Sequence, residues 1–127
     1  MGHGYCNTEN IGHDLSENLP RVISNYNYSN GYFGELGDKP RVRVIRCRDP
    51  IKDSNIFFKL ISAGGKISEY DNGNRLQVDM ADGSVITYRV ITSTPNSPAV
   101  EISLRKCNKK DKLNGLKDQK IHFIHKR

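Results

Sequence analysis

The sequence predicts an α+β domain, with an N-terminal helix or two packed on an antiparallel β-meander of about five strands. Three observations carry that expectation. The apolar residues keep a helical period from Ile51 to Ile61 and, after Gly64 and Gly65, switch to a period of two. The period-two runs are separated by polar turn clusters, DNGN, ADG and TPNSP among them. The length of 127 residues suits one core, burying roughly 65 to 70% of the surface its unfolded chain exposes.

Taken in order, residues 1–40 are rich in Asn, Gly, Tyr and Ser and read as irregular chain with one short helix. That helix is placed after Asn18, with Pro20 in its first turn and Leu19, Val22, Ile23 and Tyr26 as a narrow apolar stripe. Residues 41–127 are more regular. RVRVIRC alternates and reads as a strand. DPIKDSNIFFKLISAGG reads as a helix: Asp49 is its cap, Pro50 fits its first turn, and Ile51, Phe57, Leu60 and Ile61 recur at helical spacing. Gly64 and Gly65 end it. KISEY, RLQVDM, SVITYRVIT, AVEISL and KIHFI then form the meander, one face of which is buried. The lysine-rich stretch 105–119 reads as a mobile loop. No internal repeat is visible, and the whole chain reads as one domain.

The net charge of +6 favours a polyanionic partner, nucleic acid before an anionic membrane or an acidic protein. No stretch approaches the ~20 apolar residues of a membrane span. The amino end has no apolar signal segment, so any secretion signal is expected elsewhere or on a longer parent chain. Cys6, Cys47 and Cys107 are odd in number and far apart, which is no disulfide framework and leaves their redox state open. His3, Cys6 and His13 are zinc-type ligands, with Asp14 or Cys47 as a conceivable fourth. Their spacing fits no common zinc motif, and no metal site is expected.

Strand parity sorts the meander into two faces. Leu76, Val78, Met80, Ile86, Tyr88, Val90, Val100, Ile102, Leu104, Ile121 and Phe123 fall on the apolar one. Asp79, Arg89, Glu101, Ser103, Lys120 and His122 fall on the other. Solvated faces are commonly charged. This set, however, holds the parts that cleave an RNA phosphodiester without metal or cofactor. A base takes the proton of the ribose 2′-hydroxyl, the oxygen attacks phosphorus, and an acid protonates the departing 5′-oxygen to leave a 2′,3′-cyclic phosphate. His122 suits either proton role and Glu101 the base role, while Arg89 and Lys120 would stabilise the phosphorane. DNA lacks the nucleophile.

The segment FFKLISAGGKISEYDNGNRLQVDMADGSVITYRVITSTPNSPAVEISLRK, followed after a polar loop by LKDQKIHFI, resembles the C-terminal toxin modules of bacterial polymorphic toxins, including contact-dependent inhibition effectors. In these an ADG hairpin, a YR strand, a TS…SPAVEI turn and strand and a closing KIHF strand recur in that order. The resemblance covers roughly residues 57–124; the first 40 residues lie outside it. The layout is also similar to the barnase, EndoU, colicin and RelE-like ribonuclease superfamily. The resemblance implies an endoribonuclease, typically directed at tRNA, and a cognate acidic immunity protein that covers the basic site. It further implies secretion or delivery as part of a larger toxin, action in the cytoplasm of the target cell and, in some cases, a host protein factor. Onto this chain it carries Tyr88, Arg89, Thr92, Ser93, Thr94, Glu101, Lys120 and His122. Where the pattern has a glycine after the Thr/Ser pair, this chain has TPNSP. Two other readings compete: a non-catalytic nucleic-acid-binding module, which would place aromatics on the exposed strands, and a metal-dependent DNase, which would need a ligand cluster.

Overall fold

The computed structural model describes residues 13–126. Its elements run α1 (Leu15–Asn25), β1 (Tyr28–Ser29), β2 (Tyr32–Phe33), β3 (Glu35–Leu36), β4 (Val42–Cys47), α2 (Pro50–Ile61), β5 (Lys66–Tyr70), β6 (Arg75–Asp79), β7 (Val85–Arg89), β8 (Ala99–Ser103) and β9 (Gln119–His125). The α+β class and helix-first order are as expected, but the sheet is larger. β1 and β2 form a small hairpin, and the main sheet has seven strands in the order β3-β4-β9-β8-β7-β6-β5.

The enlargement changes the standing of the last strand. From β4 the chain crosses through α2 to β5 at the far edge, and the meander then returns strand by strand until β9 lies parallel to β4. The remaining pairs of the main sheet are antiparallel. The sheet is therefore mixed, and β9 is an interior strand bonded on both sides, not the terminal one that a five-stranded meander implies.

α2 starts as the sequence reads. The Asp49 side chain accepts a hydrogen bond from Lys52 N at 3.2 Å, and Pro50 occupies the first turn, where its missing N–H costs nothing. It exits through Gly64 at φ +79°, a left-handed conformation that suits glycine. Ile51 departs from the expected stripe: it is exposed, and Ser54, Phe57, Phe58 and Ile61 are the buried positions. α1 begins four residues earlier than expected, at Leu15. Asp14 precedes it, Glu17 Oε2 accepts from Asp14 N at 2.8 Å, and Pro20 lies inside the helix. Buried Asn18 donates to the Ile61 and Ala63 carbonyls at 2.9 and 2.8 Å, satisfying acceptors that the end of α2 leaves open.

Both helices lie on the same side of the sheet, α2 against β4, β7, β8 and β9 and α1 against α2. The core between them is aromatic at its centre. The Phe57 ring meets Phe33 edge-on at 5.2 Å, Tyr26 at 4.9 Å and Phe123 at 5.5 Å, while Phe58 stacks on Tyr88 at 5.2 Å. The lysine-rich stretch is held down, contrary to its reading as mobile. Leu113 and Leu116 are buried, Asp118 accepts from Leu104 N at 2.8 Å, and Lys109 pairs with Asp14 at 2.7 Å. His3 and Cys6, considered above as zinc-type ligands, lie outside the described residues. Among the described residues, no helix is long and apolar enough to cross a membrane.

Candidate active site

Among the described residues no helix packs on the sheet's second face, and the strand registers order its side chains into cross-strand rows. One row runs Ser68, Gln77, Thr87, Glu101, Lys120 and Val42. The next runs Tyr70, Arg75, Arg89, Ala99, His122 and Val44. Glu101 and Lys120 are thus directly opposite each other, a placement that puts Cβ atoms about 4.5–5.5 Å apart. His122 follows Lys120 on the same face of β9 and lies diagonal to Glu101, at a separation of about 7–8 Å. Arg89 reaches this group from the other side of Ala99, two strands from His122 or about 10 Å. The four residues assembled from parity do share one patch, and His122 lies on the opposite side of β9 from buried Ile121.

His122 is the most constrained of the four. It is half-buried, and its Nδ1 lies 3.0 Å from the hydroxyl of Ser97, which is itself buried. With Nδ1 engaged, Nε2 is the nitrogen left for a substrate. Burial lowers the imidazole pKa below its ordinary value, and the Lys120 charge lowers it further. A hydrogen bond to the Ser97 backbone and the Asp38 carboxylate oppose that shift without reversing it. The ring is therefore mostly neutral at pH 7, able to take up a proton. Glu101 is exposed and Lys120 half-exposed. Among the described residues, no salt bridge within 4.0 Å joins them.

The Thr92–Pro98 loop builds the support for that imidazole. Thr92 Oγ1 contacts the Ser97 carbonyl at 2.6 Å and the Thr94 carbonyl at 3.1 Å, and it accepts from Thr94 N at 3.2 Å. Its hydrogen-bonding capacity is spent on the loop, as local hydroxyl bonding in turns would have it. Phe123 N donates to the Pro98 carbonyl at 2.9 Å and ties the loop's end to β9. Ser93 and Thr94 are exposed at the turn. Ser103 is half-buried at the end of β8, one row beyond Glu101. Tyr88 must be corrected: proposed as a substrate contact, it is 2% exposed on the helix side, where its hydroxyl lies 2.8 Å from Ser54 Oγ. Parity with Ile86 forces it there. The sequence reading does not include Ser97, whose contact with His122 depends on how the Thr92–Pro98 loop folds and leaves no local signal.

Hollows lie between other elements. One of about 670 Å³ between α1 and α2 is lined by His13, Glu17, Asn18, Arg21, Ile56 and Lys59 among others. Cys47 and Cys107 are free thiols. Burial first, and then Asp53, push the Cys47 pKa up to about 11, which makes it a poor nucleophile. Comparison with protein-family models, with curated proteins and with solved structures gives no match for this chain.

Proposed function

We propose that the open face of β7, β8 and β9 is the active site of a metal-independent endoribonuclease. The observation that carries the reading is the register that gathers Arg89, Glu101, Lys120 and His122 into one patch around an imidazole held by Ser97. His122, neutral near pH 7, accepts the 2′-hydroxyl proton at Nε2. The 2′-oxygen then bonds to phosphorus, and the bond to the 5′-oxygen breaks. Lys120 supplies the proton to that departing oxygen, Glu101 places a carboxylate opposite it across the strands, and Arg89 stabilises charge on the phosphorane. The products are a 2′,3′-cyclic phosphate and a 5′-hydroxyl, and DNA is not a substrate.

The biological setting follows from the resemblance to polymorphic toxin modules: delivery as part of a larger toxin, tRNA as the RNA cleaved in the target cytoplasm, and an acidic immunity protein as inhibitor. The net charge of +6 accords with both partners. The test is incubation of the purified domain with total bacterial RNA in EDTA, with and without bacterial extract to supply a host factor, beside a His122→Ala control. Discrete fragments that the control does not produce are expected. RNA left intact under both conditions would end the ribonuclease reading and turn attention to nucleic-acid binding without cleavage.

A further inference from the structure

The row that contains Arg89 and His122 continues beyond them in the opposite direction, to Arg75 on β6 and Tyr70 on β5. Arg75 and Arg89 are direct cross-strand partners on the open face. Like charges in that relation destabilise a sheet, because their Cβ atoms are only about 4.5–5.5 Å apart. Arg75 is also the more fixed of the two. Its guanidinium carbon sits 4.3 Å from the centre of the Tyr70 ring, a cation–π contact. Its Nε forms an ion pair with the exposed carboxylate of Asp71 at 3.6 Å, too long for a hydrogen bond, and is closed off from solvent without a hydrogen-bond partner. Two opposed guanidinium groups, one of them braced by an aromatic ring, are an arrangement that an anion between them relieves.

We infer that Arg75 and Arg89 form a phosphate-binding subsite, with Tyr70 as the residue that positions Arg75. It would hold a backbone phosphate of the same RNA strand next to the one being cleaved. The inference rests on the ribonuclease reading for the identity of the strand, and not for the anion site itself. Arginine suits the task because its planar fork can pair with two phosphate oxygens at once. Arg89 faces both this subsite and the reacting phosphate, whereas Arg75 lies three strands from His122, about 14 Å by interstrand spacing, so Arg75 contributes to binding and not to bond breaking. It also gives the strand a direction across the sheet, from β9 towards the β5 edge.

The experiment measures binding of a labelled, mixed-sequence, single-stranded RNA oligonucleotide to protein carrying His122→Ala, which removes cleavage, over a range of salt concentrations. Adding Arg75→Gln should weaken binding about tenfold and lower the salt slope by about 0.7, the loss of one contact to a single strand. Tyr70→Leu should weaken it several-fold with the slope unchanged, and Lys59→Gln on the helix side should change neither. Melting of each variant establishes that it is folded, and the Tyr70 variant reports on the subsite if the Arg75 variant does not fold. In the cleaving protein, Arg75→Gln should raise KM and leave kcat within about twofold, the signature of lost uniform binding. Wild-type affinity and salt slope in folded Arg75→Gln would overturn the subsite while leaving the nuclease reading intact. Binding that depends on Arg75 in a protein that never cleaves RNA would do the reverse. Absence of RNA binding at low salt would overturn both.

Discussion

The two faces of the main sheet are built from alternate residues of the same strands, yet they are stabilised by different physics. On the helix side Phe33, Phe57, Tyr88, Ile121 and Phe123 are all at or below 2% exposure and are interlocked by edge-on and stacked rings. On the open side Arg75, Arg89, Glu101, Lys120 and His122 keep contact with solvent. Burial fixes the first set, and every methylene there contributes to holding the sheet. The second set contributes little to folding, since exposed charges are worth at most about 1 kcal/mol a pair. A sheet that is fixed from one side can carry opposed arginines and a desolvated imidazole on the other, where a reacting group needs to be held still.

Substitutions that act on one face only should separate these two economies. His122→Ala should show the largest effect, a loss of about 100- to 10,000-fold in the rate of RNA cleavage, with a melting temperature close to that of the parent. Phe57→Ala is its counterpart on the dry side. Urea unfolding should show it to be less stable by about 3–5 kcal/mol, because the ring touches Tyr26, Phe33 and Phe123 together. If the two variants exchanged these effects, the division of labour between the faces would be wrong.

What the sequence discloses about this division is the local part. Strand parity alone sorts Val100, Ile102, Ile121 and Phe123 from Glu101, Lys120 and His122, because the side-chain period of a strand is two wherever it pairs. The cap at Asp49 and the turn at DNGN, whose Asp71, Asn72 and Gly73 all have positive φ, are likewise local chemistry. The pairing of β4 with β9 is not local. It joins residues more than seventy positions apart, and neither strand carries a mark of its partner. The same holds for Leu113 and Leu116, which anchor a stretch whose lysines dominate its composition. The Asp14 and Glu17 pair at the start of α1 was there to be read, but Pro20 drew the helix start to itself. Of the candidate site, the charged members were legible from parity; Ser97 was not, since its hydrogen bond to His122 depends on how TPNSP folds back over β9.

Smaller effects sharpen the comparison. Ser97→Ala should slow cleavage by up to about tenfold, the worth of one hydrogen bond of about 1 kcal/mol, without a comparable loss of stability. The pH dependence should follow the environment of His122. As general base it must be neutral, so kcat/KM should fall on the acid side with a midpoint below the ordinary 6.5 of an imidazole. Lys120→Gln removes a cation that lowers this pKa and should move the limb of any residual activity to higher pH. A rate that instead declines as pH rises through the same range would make His122 the general acid and leave Glu101 as the base.

The smallest effect concerns folding. Because the His122 pKa is lower in the folded chain than in the unfolded one, the unfolded state binds more protons between the two values, and stability rises with pH across that window. The contribution is present above pH 6.5 and is lost as pH falls through the folded value. Its size is small because the ring is only partly buried. Thermal melts of the parent and His122→Ala over this range should differ in slope in that direction and nowhere else.

The most direct test is to map one cleavage site in RNA and then replace the single nucleotide on its 5′ side with the 2′-deoxy form. Assay in EDTA should give a 2′,3′-cyclic phosphate from the unmodified RNA and no cut at that bond in the deoxy substrate, while binding is retained. Cleavage that persists at the deoxy position, or that depends on an added divalent metal, would contradict an active site built from His122 and its neighbours on the open face.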